Sequence, residues 1–174
     1  MEKKEIKKLT DSIIRVNHAG EYGAEKIYRG QKAILKNLPL EKEINKMLEE
    51  ERKHLKKFND LVVKRNVRPT LLMPLWNIGG YSMGIVTAVL GKKSTMTCTE
   101  AVEEVICEHY KNQEKILKNI DKELYAIVKK FHKDEEKHKI KAKELGSGEN
   151  LGHKILKKSI KGITKIAIKL SEKI

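Results

Sequence analysis

Apolar residues recur along most of this chain at three- and four-residue intervals, and the two-residue alternation of strands is nearly absent. That periodicity predicts four long helices. The first begins near Asp11 or Ser12 and runs to about Asn37, ending before Pro39. The second starts near Leu40 and ends before Pro69. The third takes Thr97 or Thr99 as its N-cap, with Glu100 in the first turn, where the positive end of the helix dipole favours an acid. The fourth runs from about Asp121 to Leu145 and stops at Gly146-Ser147-Gly148. Four long helices with short turns predict an all-α fold: an antiparallel four-helix bundle over about 11–145, inside a single domain of 1–174.

Two segments fall outside that plan. Residues 69–91, PTLLMPLWNIGGYSMGIVTAVLG, carry no charged side chain over 23 positions. A bilayer span takes about 20 apolar residues, so the length suffices. Pro74, Gly79-Gly80, Gly84 and the polar Asn77, Ser82 and Thr87 interrupt the run, which therefore reads as a buried crossover element or an interfacial docking segment. Residues 151–174 place Leu151, Ile155, Leu156, Ile160, Ile163, Ala167 and Leu170 at helical spacing. Lys154, Lys157, Lys158, Lys161, Lys165 and Lys169 fill most of the remaining surface. A basic amphipathic helix of this kind lies on an anionic bilayer, or packs on the bundle with its lysines in water, or does both.

The chemistry is carried by polar residues in core register. The stripe of the second helix is Ile44, Met47/Leu48, Phe58 and Leu61/Val62, and Glu51 and His54 occupy two of its slots. The stripe of the fourth is Leu124, Ile127/Val128, Phe131, Ala142 and Leu145, interrupted by Glu135 and His138. Each Glu-x-x-His places both side chains on one helix face. With 20 Glu and 6 His in the chain, one such pair is expected by chance, but two that both break an apolar seam are not. The first helix adds Glu21, 30 residues before Glu51, and the third adds Glu103, 32 residues before Glu135. Each half thus reads Glu, then Glu-x-x-His, as two helix hairpins related by a pseudo-twofold axis would. One Glu from each of two helices plus Glu-x-x-His from each of the other two is the di-iron carboxylate arrangement of ferritin-like bundles. Four carboxylates offset the charge of two ferrous ions, and oxygen and imidazole donors suit iron or manganese. Glu51 and Glu135 are placed to bridge the metals, while Glu21 and Glu103 cap one each. The alternative is a set of buried acids satisfied by lysines or backbone.

Composition narrows the partners. Lys and Arg number 38 against 24 Asp and Glu, a net charge of +14, which favours anionic partners. There are 33 Lys and only 5 Arg, which counts against a nucleic-acid module. The only cysteines, Cys98 and Cys107, form neither a CxxC pair nor a disulfide framework, so a reducing compartment is expected. The opening MEKKEIKKLTDS has the character of neither a secretory signal nor a transit peptide.

Five blocks carry a further signal: RVNHAGEYGAEKIYRGQ (15–31), ERKHLKKFNDL (51–61), VRPTLLMPLWNIGGYSMG (67–84), AVEEVICEHYKNQ (101–113) and FHKDEEKH (131–138). In these blocks, in this order, the chain resembles the demethoxyubiquinone hydroxylase family of ubiquinone biosynthesis. The resemblance implies iron ligands at Glu21, Glu51, His54, Glu103, Glu135 and His138, the six that the bundle argument selects. It implies roles for His109 and Tyr110, beside the metal site, in electron or proton delivery; His18 is expected to brace the first helix. It implies a monooxygenase that hydroxylates a polyprenyl demethoxyubiquinol with O₂ and electrons from NADH. No Gly-rich dinucleotide fingerprint accompanies that donor. It also implies peripheral attachment to an anionic membrane surface through 69–91 and 151–174. That membrane would be the cytoplasmic face of a bacterial inner membrane, or the matrix side of the mitochondrial inner membrane for a processed chain. Other ubiquinone-biosynthesis proteins are expected as partners, and nucleic acid is not. The nearest alternative uses for the same residues are a ferritin-like ferroxidase or peroxidase with the same di-iron site, and a metal-free scaffold.

Overall fold

The computed structural model describes residues 2–174. Among them are six helices and no strand: α1 (Lys3–Ile34), α2 (Glu41–Lys64), α3 (Met73–Val89), α4 (Lys92–Leu117), α5 (Lys122–Glu144) and α6 (Leu151–Lys173). α1 packs on α2 and α4 on α5, giving the two hairpins of a ferritin-like bundle. The uncharged segment is itself helical and lies along α1, while α6 crosses α4 and α1.

Several ends differ from the periodicity. α1 begins at Lys3, about two turns before Asp11. A capping box between Glu2 and Glu5 satisfies its first amides, and no breaker separates Lys3 from Asp11. Asp11 pairs with Lys7 instead, at 2.5 Å. α1 stops at Ile34 rather than Asn37, because Asn37 takes the left-handed conformation (φ 66°), and Asn66 (φ 52°) ends the α2 turn in the same way. α4 starts at Lys92, after Gly91 (φ 96°), so Thr97 and Thr99 lie inside the helix and cap nothing. The Thr97 hydroxyl donates to the Lys93 carbonyl and accepts from the Gly148 amide, pinning the loop that follows α5.

Within 69–91, Pro74 sits in the first turn of α3, where its missing N–H is no loss. Gly84 and Gly30 bring α3 and α1 to backbone contact. A Cβ on Gly84 would run into the Ile27 carbonyl, and one on Gly30 into that of Tyr81. No helix among the described residues is long and apolar enough to cross a membrane.

α6 packs on the bundle, and it corrects the expectation of a wholly solvated lysine face. Of its expected apolar stripe only Ile160 is buried, and Leu151, Ile155, Ile163 and Leu170 are exposed. Leu156 and Ile168 pack partly buried against the core, and the lysines beside them reach α4 rather than water alone. Lys157 pairs with Glu100 (2.8 Å) and Glu104 (3.0 Å), Lys161 with Glu104 (2.7 Å) and Lys165 with Glu108 (3.1 Å). Acids at every fourth position of α4 meet lysines at every fourth position of α6.

The bundle interior is divided. One apolar cluster gathers around Phe58, Leu61, Leu124, Val128 and Phe131, and the other around Leu35, Ile44, Met47, Leu48 and Ala142. On α2 and α5 the residues between the two clusters are Glu51, His54, Glu135 and His138.

Candidate metal centre

All six expected ligands are buried: Glu21, Glu51 and His54, Glu103, Glu135 and His138. Their donor atoms form two overlapping groups, Glu21–Glu51–His54–Glu135 and Glu51–Glu103–Glu135–His138, each with its atoms within 4.8 Å of one another. Glu51 and Glu135 belong to both. The two groups therefore overlap at two carboxylates.

Each imidazole turns Nδ1 inward. His54 Nδ1 lies 3.0 Å from Glu135 Oε1 and 3.5 Å from Glu21 Oε2. His138 Nδ1 lies 3.1 Å from Glu51 Oε1 and 3.2 Å from Glu135 Oε2. The outer nitrogens face acids: His138 Nε2 is 2.6 Å from Glu50, and His54 Nε2 is 3.6 Å from Asp134. The Phe131 ring stacks on His54 with centroids 3.9 Å apart, fixing its plane.

Electrostatics confirm how costly the cluster is without a cation. Burial, then the Glu135 charge, pushes the Glu51 carboxyl well above the usual range; burial, then Glu135 and Glu51, does the same to Glu103. Burial would also raise Glu135, but His138 and His54 reverse this and hold it at about 2. Burial would lower both histidines, yet Glu135 with Glu21 raises His54 to about 11, and Glu135 with Glu51 raises His138 to about 12. Both Glu51 oxygens, Glu135 Oε1 and His54 Nδ1 are buried and, although His54 Nδ1 lies 3.0 Å from Glu135 Oε1 and His138 Nδ1 3.1 Å from Glu51 Oε1, none of the four makes a well-aligned hydrogen bond among the described residues. No lysine or arginine among those residues pairs with any of the six, so the alternative of acids satisfied by lysines fails. Orphaned carboxylate oxygens and an inward imidazole nitrogen, converging from four helices, fit a pair of divalent cations.

Two tyrosines complete the layer. Tyr110 on α4 donates to Glu21 on α1, and Tyr28 on α1 donates to Glu103 on α4 at 2.6 Å. Burial, then the carboxylate charges, keeps both phenols protonated as donors. The symmetry was written in the chain: Glu21 precedes Tyr28, and Glu103 precedes Tyr110, by seven residues. Spacing alone did not single out Tyr28. Nor did it single out Glu50 and Asp134, the acids immediately before Glu51 and Glu135.

His109 is placed differently from Tyr110. Its Nε2 accepts from the Gln113 amide at 2.7 Å, and Gln113 in turn pairs with Asn17. Burial lowers His109 to about 4, so it is neutral, and it touches none of the six. His18 braces α1 on α2 through Asn59 at 2.8 Å.

The six expected ligands do not line the apolar cavity of about 370 Å³, but Gly20 and Val102, the chain neighbours of Glu21 and Glu103, do. Gly20, Ala24 and Ile27 of α1 and Val102 and Ile106 of α4 form its floor, and α3 and α6 wall it with Leu75, Trp76, Ile163 and Ser171.

Residues 8–171 match the family model described as ubiquinone biosynthesis protein COQ7. The NADPH-dependent 3-demethoxyubiquinone 3-hydroxylase of Rattus norvegicus is 46% identical over 94% of this chain and 77% of its own length. The 3-demethoxyubiquinol 3-hydroxylase of Rhodospirillum rubrum is 39% identical over 95% and 79%. The mitochondrial 5-demethoxyubiquinone hydroxylase of Saccharomyces cerevisiae is 37% identical over 94% and 78%. The carboxylate–imidazole layer, the tyrosine pair and the adjoining cavity are thus those of a chain that belongs to the COQ7 family of ubiquinone biosynthesis proteins.

Proposed function

We propose that this protein is a di-iron monooxygenase that hydroxylates the ring of a polyprenyl demethoxyubiquinol, with O₂ as co-substrate and NADH or NADPH as the electron source. The observation that carries this reading is the pairing of two features: six buried donors that no lysine or arginine neutralises, and an apolar cavity large enough for a quinone ring, lined by the chain neighbours of Glu21 and Glu103. Bound there, two ferrous ions would activate O₂ for transfer to the ring.

The protein's own part is positional. Glu51 and Glu135 would bridge the ions, Glu21 and Glu103 would each cap one, and His54 and His138 would each donate Nδ1. Tyr28 and Tyr110 hold the capping carboxylates by hydrogen bonds. Glu50 and Asp134 face the outer imidazole nitrogens and so keep Nδ1 inward. The apolar floor keeps water off the ring face. His109, neutral and hydrogen-bonded to Gln113, would take part in proton delivery without acting as a ligand.

The exposed apolar residues of α3 and α6 support peripheral attachment to the membrane that holds the polyprenyl tail. Several relatives are named as mitochondrial, and the mitochondrial inner membrane on its matrix side, or a bacterial inner membrane on its cytoplasmic side, fits that role. The test is metal content together with turnover of a short-tailed demethoxyquinone under O₂ with each nicotinamide cofactor. Two irons per chain and a hydroxylated quinol are expected. Absence of iron under reducing, metal-supplemented conditions overturns the assignment, and two irons with rapid Fe(II) or peroxide turnover but no hydroxylation redirects it to a ferroxidase.

A further inference from the structure

The two walls of the cavity are fastened mainly to different helices of the bundle. α3 lies on α1 at the Gly30–Gly84 contact, and α6 rides on α4 through Lys157, Lys161 and Lys165. Between α3 and α6 the described residues make a single side-chain hydrogen bond: Trp76 Nε1 donates to Ser171 Oγ at 3.0 Å. Both residues line the cavity. Ser171 is 2% exposed, and it and Ile160 are the two buried residues of α6. A hydroxyl sealed into an apolar wall is destabilising unless it is hydrogen-bonded, so the bond has an energetic reason to re-form whenever it opens.

The two partners are unequally held. The last turn of α6 is tied down, because Ser12 Oγ and Arg15 Nη1 both donate to the Glu172 carbonyl, at 3.3 and 3.4 Å. The Leu71 amide also donates to the Ile174 carbonyl at 3.3 Å. Trp76 lies in the first turns of α3 and is half-buried, so its indole N–H can turn to water when it leaves Ser171. Ser171 is therefore the fixed acceptor and the indole the moving part. Leu75 and Ile163 flank the bond, and each is more than half exposed (54% and 51%). A cavity of about 370 Å³ takes a ring and the start of a chain, so a long tail has to leave through this seam.

We propose that the Trp76–Ser171 hydrogen bond latches the mouth of the cavity and that its opening admits an isoprenoid-tailed quinone between α3 and α6. The inference rests on the cavity being the quinone site of the proposed reaction. Trp76 is the chain's only tryptophan, so its fluorescence reads the latch without turnover or metal. The experiment mixes the detergent-solubilised full chain with a decyl-tailed benzoquinone in a stopped-flow instrument and follows the quenching.

Ser171→Ala, which removes the acceptor at little change in volume, is expected to red-shift the emission of the free protein and to speed quenching by about threefold or more. Ser171→Thr, which restores a hydroxyl, is expected to return the rate to that of the wild type. Trp76→Phe, followed by turnover, is expected to flatten the dependence of KM on tail length. Quenching at one rate in wild type, Ser171→Ala and Ser171→Thr overturns the latch and leaves the reaction standing. No quenching in any of them overturns the quinone site and the latch together. Circular dichroism on each variant separates these outcomes from misfolding.

Discussion

An imidazole presents one nitrogen to a metal only if something holds the other. Glu50 does this for His138 at 2.6 Å, and Asp134 faces His54 at 3.6 Å. Partners of this kind are worth about 10–100-fold in metal affinity. Glu50→Gln and Asp134→Asn are each expected to weaken Fe(II) binding by about that factor in a chelator competition, while Glu49→Gln, on the exposed face beside Arg52, leaves it unchanged. The raised pKa values lead to a second outcome. Protons on Glu51, Glu103, His54 and His138 must leave before those atoms can ligate, so adding Fe(II) or Co(II) to metal-free protein at neutral pH should release protons. Weakly buffered dye titration measures this, and loading without proton release would refute the assignment of these four as ligands. Glu51, His54, Glu135 and His138 were legible because polarity inside an apolar stripe is a contradiction that demands a cause, and Glu21 and Glu103 through their matched spacing to those two pairs. Tyr28, Glu50 and Asp134 carry no such contradiction, since a tyrosine is at home in a core and extra acids are unremarkable in a chain with 20 Glu.

At the scale of whole helices, the sequence read interiors better than ends and neighbours. α5 was placed almost to the residue because its stripe is strong, α2 was run about a turn too far because Asn66, not Pro69, ends it, and α4 was started late because Thr97 and Thr99 resemble caps. The true stop is Gly91, a left-handed glycine whose role is invisible without the backbone. The lysines of α6 read as a solvent face because the acids that receive three of them lie some 57 residues earlier, on α4. That docking has a pH signature. Lys161 and Lys157 overcome burial and hold Glu104 at about 2, below the ordinary carboxylate value of 4.5. A carboxylate lowered on folding contributes stability above pH 4.5 and loses it as pH falls toward 2. Loosening of α6 is therefore expected in that acidic window, read as rising exposure of Trp76 by fluorescence, and Glu104→Gln should remove much of the pH dependence. Packing of α3 on α1 responds differently. Gly84→Ala puts a methyl group into the Ile27 carbonyl and is expected to cost about 1–3 kcal/mol, lowering Tm by several degrees. Gly23→Ala meets nothing within 4 Å and gains helix propensity, so it should leave Tm unchanged or raise it.

The molecule as a whole has two unlike faces. α3 and α6 cover the side where the cavity lies, and both expose large apolar residues, including Ile78 (69%) and Ile166 (58%). α2 and α5 cover the other side with charged residues. Three of the lysines on α6 are already paired with α4, so the attraction of this face to a bilayer cannot be read from the net charge of +14. Two mechanisms then make opposite predictions. Docking by charge weakens steeply with salt, because surface attractions are screened within about 10 Å at 0.1 M. Docking by apolar insertion does not, since burial of hydrocarbon contributes roughly 25 cal/mol per Å² irrespective of ionic strength. The exposed isoleucines favour insertion. Co-sedimentation with phosphatidylcholine–cardiolipin vesicles is therefore expected to survive 0.5 M NaCl, and the double variant Ile78→Glu, Ile166→Glu is expected to lose it by about tenfold or more. Neither residue lines the cavity or touches the carboxylate layer, so iron content and Tm should stay at wild-type values. Binding that vanishes in salt, or persists in the double variant, would move the docking surface to the outward lysines Lys154, Lys158 and Lys169, away from the α3–α6 seam of the proposed latch.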